Sequence, residues 1–121
     1  MISGGLATIY VGDMDRAVRF YTETLGLKLQ HRAGEGWAQI EAGRGLVLGL
    51  HATHPGGPEP GKNGSTIVGF DLDEPLDAVY QALAARGVQF HGPIHETGFI
   101  RLAYFSDPDG NQFYLAENKT H

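Results

Sequence analysis

The sequence predicts an α+β protein made of two tandem β-α-β-β-β modules that form cupped mixed sheets. Two observations carry this prediction: the halves of the chain align with each other, and each half repeats the same order of strand and helix patterns. An offset of 61 residues aligns Leu6 with Ile67, and an offset of 65 aligns Gly49 with Tyr114. We expect one domain composed of module one at about 1–52, a Gly- and Pro-rich linker at about 53–65 and module two at about 66–121.

The first half contains the patterns of one strand, one helix and three further strands. Residues 7–11 alternate in the manner of a half-buried strand. Asp13 can cap the next helix, in which apolar residues recur at helical spacing from Met14 to Leu25. Gly26 then offers the left-handed conformation that ends many helices. The further strands are predicted near residues 28–32, 36–42 and 46–51.

The second half repeats this order. Residues 67–72 have the pattern of a strand, and Pro75 is suited to the first position of the helix that follows. That helix is predicted to end before Gly87, which corresponds to Gly26 in the first half. The remaining strands are predicted near residues 88–91, 99–105 and 112–117.

Alternation assigns each strand residue to one of two faces of its sheet. The face expected to pack under the helices is uniformly apolar and carries Ala7, Ile9, Val11, Ala38, Ile40, Leu46, Leu48, Leu50, Val68, Phe70, Leu72, Phe113 and Leu115. The opposite face, called the open face below, carries Leu6, Thr8, Tyr10, Trp37, Gln39, Glu41, Val47, Gly49, His51, Ile67, Gly69, Asp71, Ile100, Leu102, Tyr104, Gln112, Tyr114 and Ala116. Such a mixture of apolar and polar groups is typical of a small-molecule site.

Composition narrows the classes of function. The formal net charge of −5 argues against nucleic acid or an anionic membrane surface as a partner. The chain has no cysteine, which excludes disulfides and thiolate metal sites. No apolar segment is long enough to cross a bilayer, and the first residues contain no recognisable secretory signal. We therefore expect a cytoplasmic protein.

Two segments carry a family resemblance. VGDMDRAVRFYTETLGLKL resembles the first strand-to-helix signature of the vicinal-oxygen-chelate superfamily, the glyoxalase, bleomycin-resistance and dioxygenase-like proteins. FSDPDGNQFYLAE resembles the last hairpin of that superfamily. The resemblance covers nearly the whole chain and implies the duplicated β-α-β-β-β architecture and a homodimer. Within the second segment, Pro108 and Gly110 suit a β-turn, so we expect its polar residues to be structural.

Enzymes of the superfamily commonly hold a divalent metal on the concave face, with His, Gln or Glu on the first and last strands of each module. The corresponding positions here are Leu6, Gly49, Ile67 and Tyr114. Leu, Gly and Ile offer no side-chain lone pair, and neutral tyrosine is a poor ligand for such a metal. We therefore expect no metal in the family's position and no other cofactor.

Histidines and carboxylates leave other chemistry open. His51 lies on the open face near Trp37, where it can be a general base, a hydrogen-bond partner of a ligand or a residue exposed at the rim. Glu41 and Asp71 can form an acid/base pair or hydrogen-bond to the rim of the sheets. The other histidines are expected in loops, on the surface or in the tail, with metal binding by the 51/54 or 91/95 pair a weaker alternative: His31, His54, His91, His95 and His121.

Aromatic residues favour a planar ligand over a cup filled by the rings themselves. We expect Trp37 and Tyr104 to form opposite walls of one cavity, and Gly49 and Gly69 to leave room for a guest. The predicted ligand-binding residues are Trp37, Tyr104, Tyr114, Gln39, Glu41, His51, Leu6, Ile67 and Leu102.

The resulting hypothesis is a metal-independent protein that binds an apolar or aromatic small molecule in the concave sheet cavity, as antibiotic-sequestering members of the superfamily do. An alternative is an enzyme of the same fold, a lyase, isomerase or dioxygenase-like protein. Such an enzyme would use a relocated metal or acid/base catalysis by His51, Glu41 or Asp71. A third alternative is a pseudoenzyme that contacts other proteins. The expected partners are a small-molecule ligand and a second copy of the chain, and neither nucleic acid nor a membrane.

Overall fold

The computed structural model describes residue 1 and residues 5–62, 66–98 and 100–118. The chain divides into two compact units, Met1–Lys62 and Asn63–His121, called unit one and unit two below. Each combines helix with a mixed β-sheet, as the sequence predicts. Phe99, the predicted start of a strand, and His121 lie outside the described residues.

Unit one has one helical segment and a four-stranded sheet within residues 5–62. The strands β1, β2, β3 and β4 span Ala7–Val11, Lys28–Ala33, Trp37–Glu41 and Val47–Ala52, and helix α1 spans Met14–Arg19. The sheet order is β1-β4-β3-β2, with β1 parallel to β4 and the other pairs antiparallel. Helix α1 continues into a π-helical turn, Phe20–Thr24, which completes the segment predicted as one helix.

Unit two repeats this topology within its described residues. Strand β5 spans Val68–Asp71 and helix α2 spans Leu76–Ala85. The other strands are β6 at Gln89–Phe90, β7 at His95–Glu96, β8 at Ile100–Ser106 and β9 at Gln112–Asn118. The order β5-β9-β8-β6 matches that of unit one, and β7 is an additional strand on β8.

The two sheets also share one register. Ala7 pairs with Leu48 in unit one, and Val68 pairs with Phe113 in unit two. The offset between the β1 and β5 residues is 61, and the offset between the β4 and β9 residues is 65, so one pairing uses both offsets found in the sequence. The duplication is therefore present in strand order and in residue pairing.

The helix boundaries follow local chemistry. Oδ1 of Asp13 accepts a hydrogen bond of 3.0 Å from the backbone N–H of Arg16, the cap that the sequence predicts. Gly26 and Gly87 have φ angles of 77° and 95°, which confirms the left-handed residue after each helical segment. Pro75 caps α2 rather than starting it, since its ψ of 135° is not helical.

The covered face of each sheet forms its core. In unit one, Ala38, Ile40, Leu48 and Leu50 are fully buried. In unit two, the rings of Phe70 and Phe113 are stacked with centroids 5.2 Å apart, and Phe105 packs beside Phe113 at 5.5 Å. The predicted core face is therefore correct. No helix in the described residues is long and apolar enough to cross a membrane.

An ionic cluster attaches α2 to the sheet of unit two. The Arg101 guanidinium on β8 donates two hydrogen bonds, of 3.0 and 3.1 Å, to the Asp77 carboxylate in the first turn of α2. Oε1 of Glu117 lies 3.4 Å from the same guanidinium and accepts from the backbone N–H of Leu76. The hydrogen bonds from Arg101 hold the pKa of Asp77 below its usual range and raise that of Arg101.

The predicted turn between β8 and β9 is structural. Asp107 is buried, and its Oδ1 accepts hydrogen bonds from the backbone N–H groups of Asp109 and Asn111 at 3.0 and 2.8 Å. Its Oδ2 accepts from the Asn111 side chain at 2.9 Å. These bonds occupy the buried carboxylate, so the segment serves the hairpin rather than a site.

Candidate functional site

Three rings form a row across the open face of unit one. His51 on β4 pairs in register with Tyr10 on β1 and with Trp37 on β3. The His51 ring centroid lies 4.9 Å from that of Tyr10 and 6.0 Å from that of Trp37. All three side chains are half-buried, so the row presents ring surface to solvent. Directly paired strand residues project side by side, which is why separate parts of the chain converge here.

Backbone hydrogen bonding fixes the orientation of the His51 ring. Nδ1 donates to the carbonyl oxygen of Ala52 at 2.7 Å. Because a carbonyl can only accept, the neutral ring carries its proton on Nδ1 and its lone pair on Nε2. His54 lies beside it, with ring centroids 6.5 Å apart, and Nδ1 of His54 donates to the carbonyl of Pro55 at 3.3 Å.

The expected space above Gly49 and Gly69 is filled, which corrects the sequence interpretation. A Cβ built on Gly49 would lie 2.2 Å from Cη2 of Trp37. A Cβ built on Gly69 would lie 2.1 Å from Cζ of Tyr114. Each glycine lets a neighbouring aromatic ring lie flat against the strand, since the missing side chain removes the obstacle. The glycines therefore seat rings and leave no empty space beside the strand.

The open face of unit two carries a second aromatic group. Tyr104 on β8 pairs with Tyr114 on β9, and their ring centroids are 6.0 Å apart. The His95 ring meets Tyr104 edge to face at 5.7 Å. His95 was expected in a loop, but it lies in β7, a short strand that pairs with β8 and places His95 opposite Leu102. That placement brings a histidine to the open face of unit two.

Apolar side chains flank these rings. Leu6 and Ile67 occupy equivalent positions just before β1 and β5 and are 43% and 40% exposed. Leu102 is half-buried on β8, two residues from Tyr104. Apolar surface left in water on a face that also carries rings favours contact with an apolar partner molecule.

The four positions corresponding to the family's metal ligands do not fit a metal. Leu6 and Ile67 provide hydrocarbon, and the Gly49 position is covered by the Trp37 ring. The Tyr114 ring is committed to packing over Gly69. Divalent metals bound in proteins without thiolates need imidazole or oxygen donors, which this set lacks apart from one phenol. Among the described residues, no group of three His, Asp or Glu side chains is arranged to hold a metal ion.

The candidate acid/base residues are not brought together with His51. On β3, Glu41 is four residues from Trp37, the partner of His51, which corresponds to about 13 Å at ~3.3 Å per residue. Glu41 lies opposite Lys28 and Val47, and Asp71 is exposed at the end of β5. Neither carboxylate hydrogen-bonds to another described residue. The contacts of Glu41 and Asp71 therefore support neither a role as an acid/base pair nor hydrogen bonds to the rim of the sheets.

The remaining polar candidates have separate surroundings. The side-chain amide of Gln39 donates a hydrogen bond of 3.2 Å from Nε2 to Oε1 of Gln30. His31 is exposed on β2. The His91 ring contacts the Ser106 hydroxyl at 2.6 Å. None of these contacts joins the aromatic row of unit one.

Sequence reasoning missed two aromatic contributors. Tyr10 was placed on the open face by alternation but was not selected as a site residue, since only the pairing of β1 with β4 brings it to His51. His95 gave no usable signal, because a two-residue strand has no periodicity to detect. Both residues become site candidates through tertiary pairing.

Two units of identical strand order and register define a protein of the paired β-α-β-β-β class. The chain belongs to the Glyoxalase/Bleomycin resistance protein/Dioxygenase superfamily, whose sequence model matches residues 5–115. The resemblance found in the sequence is thereby confirmed.

Similar proteins include structures from Streptomyces sp. CB03234. TnmS3, an antibiotic binding protein, is 33% identical, with a TM-score of 0.77 over 98% of this chain and 97% of that chain. A glyoxalase/bleomycin resistance protein from the same organism is 35% identical, with a TM-score of 0.73 over 93% and 98% of the two chains. Bacillus subtilis (strain 168) has a relative, the uncharacterized protein YetH, that is 26% identical over 120 residues, 93% of this chain and 96% of YetH.

Proposed function

We propose that this protein binds an apolar, partly planar small molecule against the aromatic open faces of its sheets, without a metal in the family's ligand positions. The observation that carries the proposal is the row formed by Tyr10, His51 and Trp37. The row offers ring surface that is held in place by register and by the Gly49 seat. A planar guest on this surface would displace water from apolar area, which is the main source of binding energy in such sites.

The amount of binding energy expected from the rings is moderate. Each well-formed aromatic contact adds ~0.5–1.5 kcal/mol beyond surface burial. The Trp37 ring is held against the strand by its contact with Gly49, so ordering it around a ligand costs little conformational entropy. Trp37 is therefore the expected principal contact in unit one, and Tyr104 and Tyr114 are the expected contacts in unit two.

The relatives support a binding role. TnmS3, which shares 33% of its residues with this chain, is an antibiotic binding protein. We infer a comparable role here, sequestration of an antibiotic or similar compound, because none of the four positions that correspond to the family's metal ligands carries a His, Gln or Glu in this chain. The enzymatic alternative would need a reacting group on the same face, and His51 is the one histidine in the aromatic row.

Quenching of Trp37 fluorescence tests the proposal, since Trp37 is the single tryptophan of the chain. A panel of aromatic and polycyclic compounds should contain at least one ligand that quenches it saturably. Trp37→Ala should weaken calorimetric binding of that ligand about tenfold or more, because about 1.4 kcal/mol corresponds to one decade. Tyr10→Ala, which changes a second ring of the same row, should also weaken it, whereas Leu29→Ala, an exposed apolar residue on the other face of the same sheet, should not. Unchanged affinity in both aromatic variants would refute the site.

Elemental analysis tests the metal-free part of the proposal separately. Protein purified without chelator should contain less than one equivalent of zinc, nickel, manganese or iron per chain. One tightly held metal per chain with ligands on the open face would refute this part and favour the enzymatic alternative. Native mass spectrometry of freshly purified protein would report a retained ligand and a retained metal in one measurement.

A further inference from the structure

We propose that Nε2 of His51 is a built hydrogen-bond acceptor for the ligand, and that the preferred ligand is a planar aromatic molecule with a hydroxyl or N–H donor at its ring edge. This inference rests on the proposed function and deepens it by adding a polar requirement to an otherwise apolar surface. It assigns His51 a binding role, as distinct from the general-base role and the rim exposure that the sequence left open.

The first support is the fixed tautomer. The 2.7 Å hydrogen bond from Nδ1 to the Ala52 carbonyl determines which nitrogen carries the proton. The neutral ring therefore presents a lone pair at Nε2, on the opposite side of the imidazole. Nε2 has no hydrogen-bond partner among the described residues, since the other contacts of His51 are ring packing.

The second support is the position of the ring. His51 is half-buried between Tyr10 and Trp37, and its Nε2 is not among the enclosed polar atoms of the described residues, so a ligand lying on the row can reach this acceptor. An acceptor that loses water when a ligand binds must be paired, because an unpaired polar group in a desolvated site costs free energy. A ligand that covers Trp37 therefore binds more tightly when the edge of its own ring carries a hydrogen-bond donor for Nε2 of His51.

The third support is what the row lacks. Tyr10 and Trp37 carry no charge, and Lys28 and Glu41, the charged pair on the same face, lie about 13 Å along β3 from the row. A neutral donor such as a phenol can pair with Nε2 without desolvating a charge. A carboxylate or phosphate anion cannot pair with Nε2, because it has no proton to donate. The row also contains no cation that would offset the cost of removing the anion from water.

Matched pairs of phenols and their methyl ethers test this inference directly. The probes are 2-naphthol, 4-phenylphenol and 2-hydroxyanthracene, each compared with its methoxy analogue by calorimetry at pH 8, where imidazole is generally neutral. Wild-type protein should bind each phenol about three- to tenfold more tightly than its ether, the range expected of a neutral hydrogen bond. Ethers retain the planar ring, so the comparison isolates the donor.

Variants then assign the preference to one nitrogen. His51→Asn keeps an amide N–H that can reach the Ala52 carbonyl, and its only acceptor, Oδ1, lies closer to the backbone than Nε2 does, so the variant should bind phenol and ether equally. His54→Asn, which changes the neighbouring histidine in the same way, should keep the preference. His91→Asn is the control for a histidine outside the row. Melting temperatures establish that each variant is folded.

The outcomes separate this inference from the proposed function. Equal affinity of wild type for phenols and ethers overturns the acceptor role and leaves the aromatic binding surface intact. A phenol preference that survives His51→Asn also overturns it. Absence of binding by all six probes overturns this ligand class, and the wider fluorescence panel then decides the proposed function independently. If His51→Asn does not fold, the wild-type comparison together with His54→Asn decides the question.

Discussion

At the scale of single residues, the site depends on what glycine permits. Gly49 and Gly69 lie on the open faces, and each is covered by an aromatic ring, Trp37 in one unit and Tyr114 in the other. The rings can lie flat only because no Cβ stands in their place. The same side chains that offer ring surface to a ligand are therefore held in position by the absence of a neighbouring side chain.

Gly49→Ala should displace the Trp37 ring, because the new Cβ would lie 2.2 Å from Cη2. The ring is the far end of a flexible side chain, so it should swing outward and lose a packing contact, at a cost of ~0.2–1 kcal/mol. Trp37 emission should shift to longer wavelength, and ligand quenching should weaken. Gly36→Ala is the matched control, since its Cβ would meet nothing within 4 Å. Identical emission spectra of Gly49→Ala and wild type would contradict the ring seat.

At the scale of secondary-structure elements, strand pairing creates the site and an ionic cluster positions a helix. Pairing of β1, β4 and β3 brings Tyr10, His51 and Trp37 into one row. On the other side of unit two, Arg101 joins β8 to α2 through Asp77. The Asp77 carboxylate in this cluster is largely exposed, so the contribution of the pair to stability is small, but its dependence on pH has a definite sign.

Asp77→Asn should remove a contribution that depends on the ionised carboxylate. Hydrogen bonding from Arg101 lowers the pKa of Asp77 in the folded state. The contribution is therefore complete above the unfolded value of about 3.9 and is lost as pH falls through the lower folded value. Urea unfolding should show wild type as more stable than Asp77→Asn between pH 5 and 7, and the difference should shrink toward pH 3. Asp73→Asn, an exposed carboxylate before the same helix, should show a smaller difference at every pH. A wild-type advantage that grows toward pH 3 would contradict this assignment.

At the scale of the whole molecule, the described surface leaves strand edges and apolar side chains uncovered. Strand β2 ends the sheet of unit one and is exposed along most of its length, and Leu29 within it is 40% exposed. Leu6 and Ile67 are exposed to a similar degree. Exposed edges and apolar surface of this kind are usually covered by another chain or a ligand.

We propose that the protein is a homodimer in solution, which is also what the superfamily resemblance implies. Light scattering coupled to size exclusion at micromolar concentration should give twice the mass of a chain of 121 residues. Over a range of concentrations, the measured mass should stay at the dimer value and should fall only when the protein is diluted below the micromolar range. A monomeric mass throughout the micromolar range would contradict this expectation.

The sequence by itself determined the fold class, because each module repeats the same strand and helix patterns and because alternation separates an apolar face from a mixed one. It also identified the caps at Asp13, Gly26 and Gly87, since these depend on local backbone chemistry. The sequence also placed Trp37, Tyr104, Tyr114 and His51 on the open faces of the sheets, but it did not show which side chains they contact.

The tertiary structure decided which of those residues meet. Register joins Tyr10 to His51, β7 brings His95 to Tyr104, and the rings cover Gly49 and Gly69, where empty space had been expected. These contacts join residues far apart in the chain, and no periodic pattern encodes them. Pairing between strands therefore determines the chemistry of the site, whereas local patterns determine the scaffold that carries it.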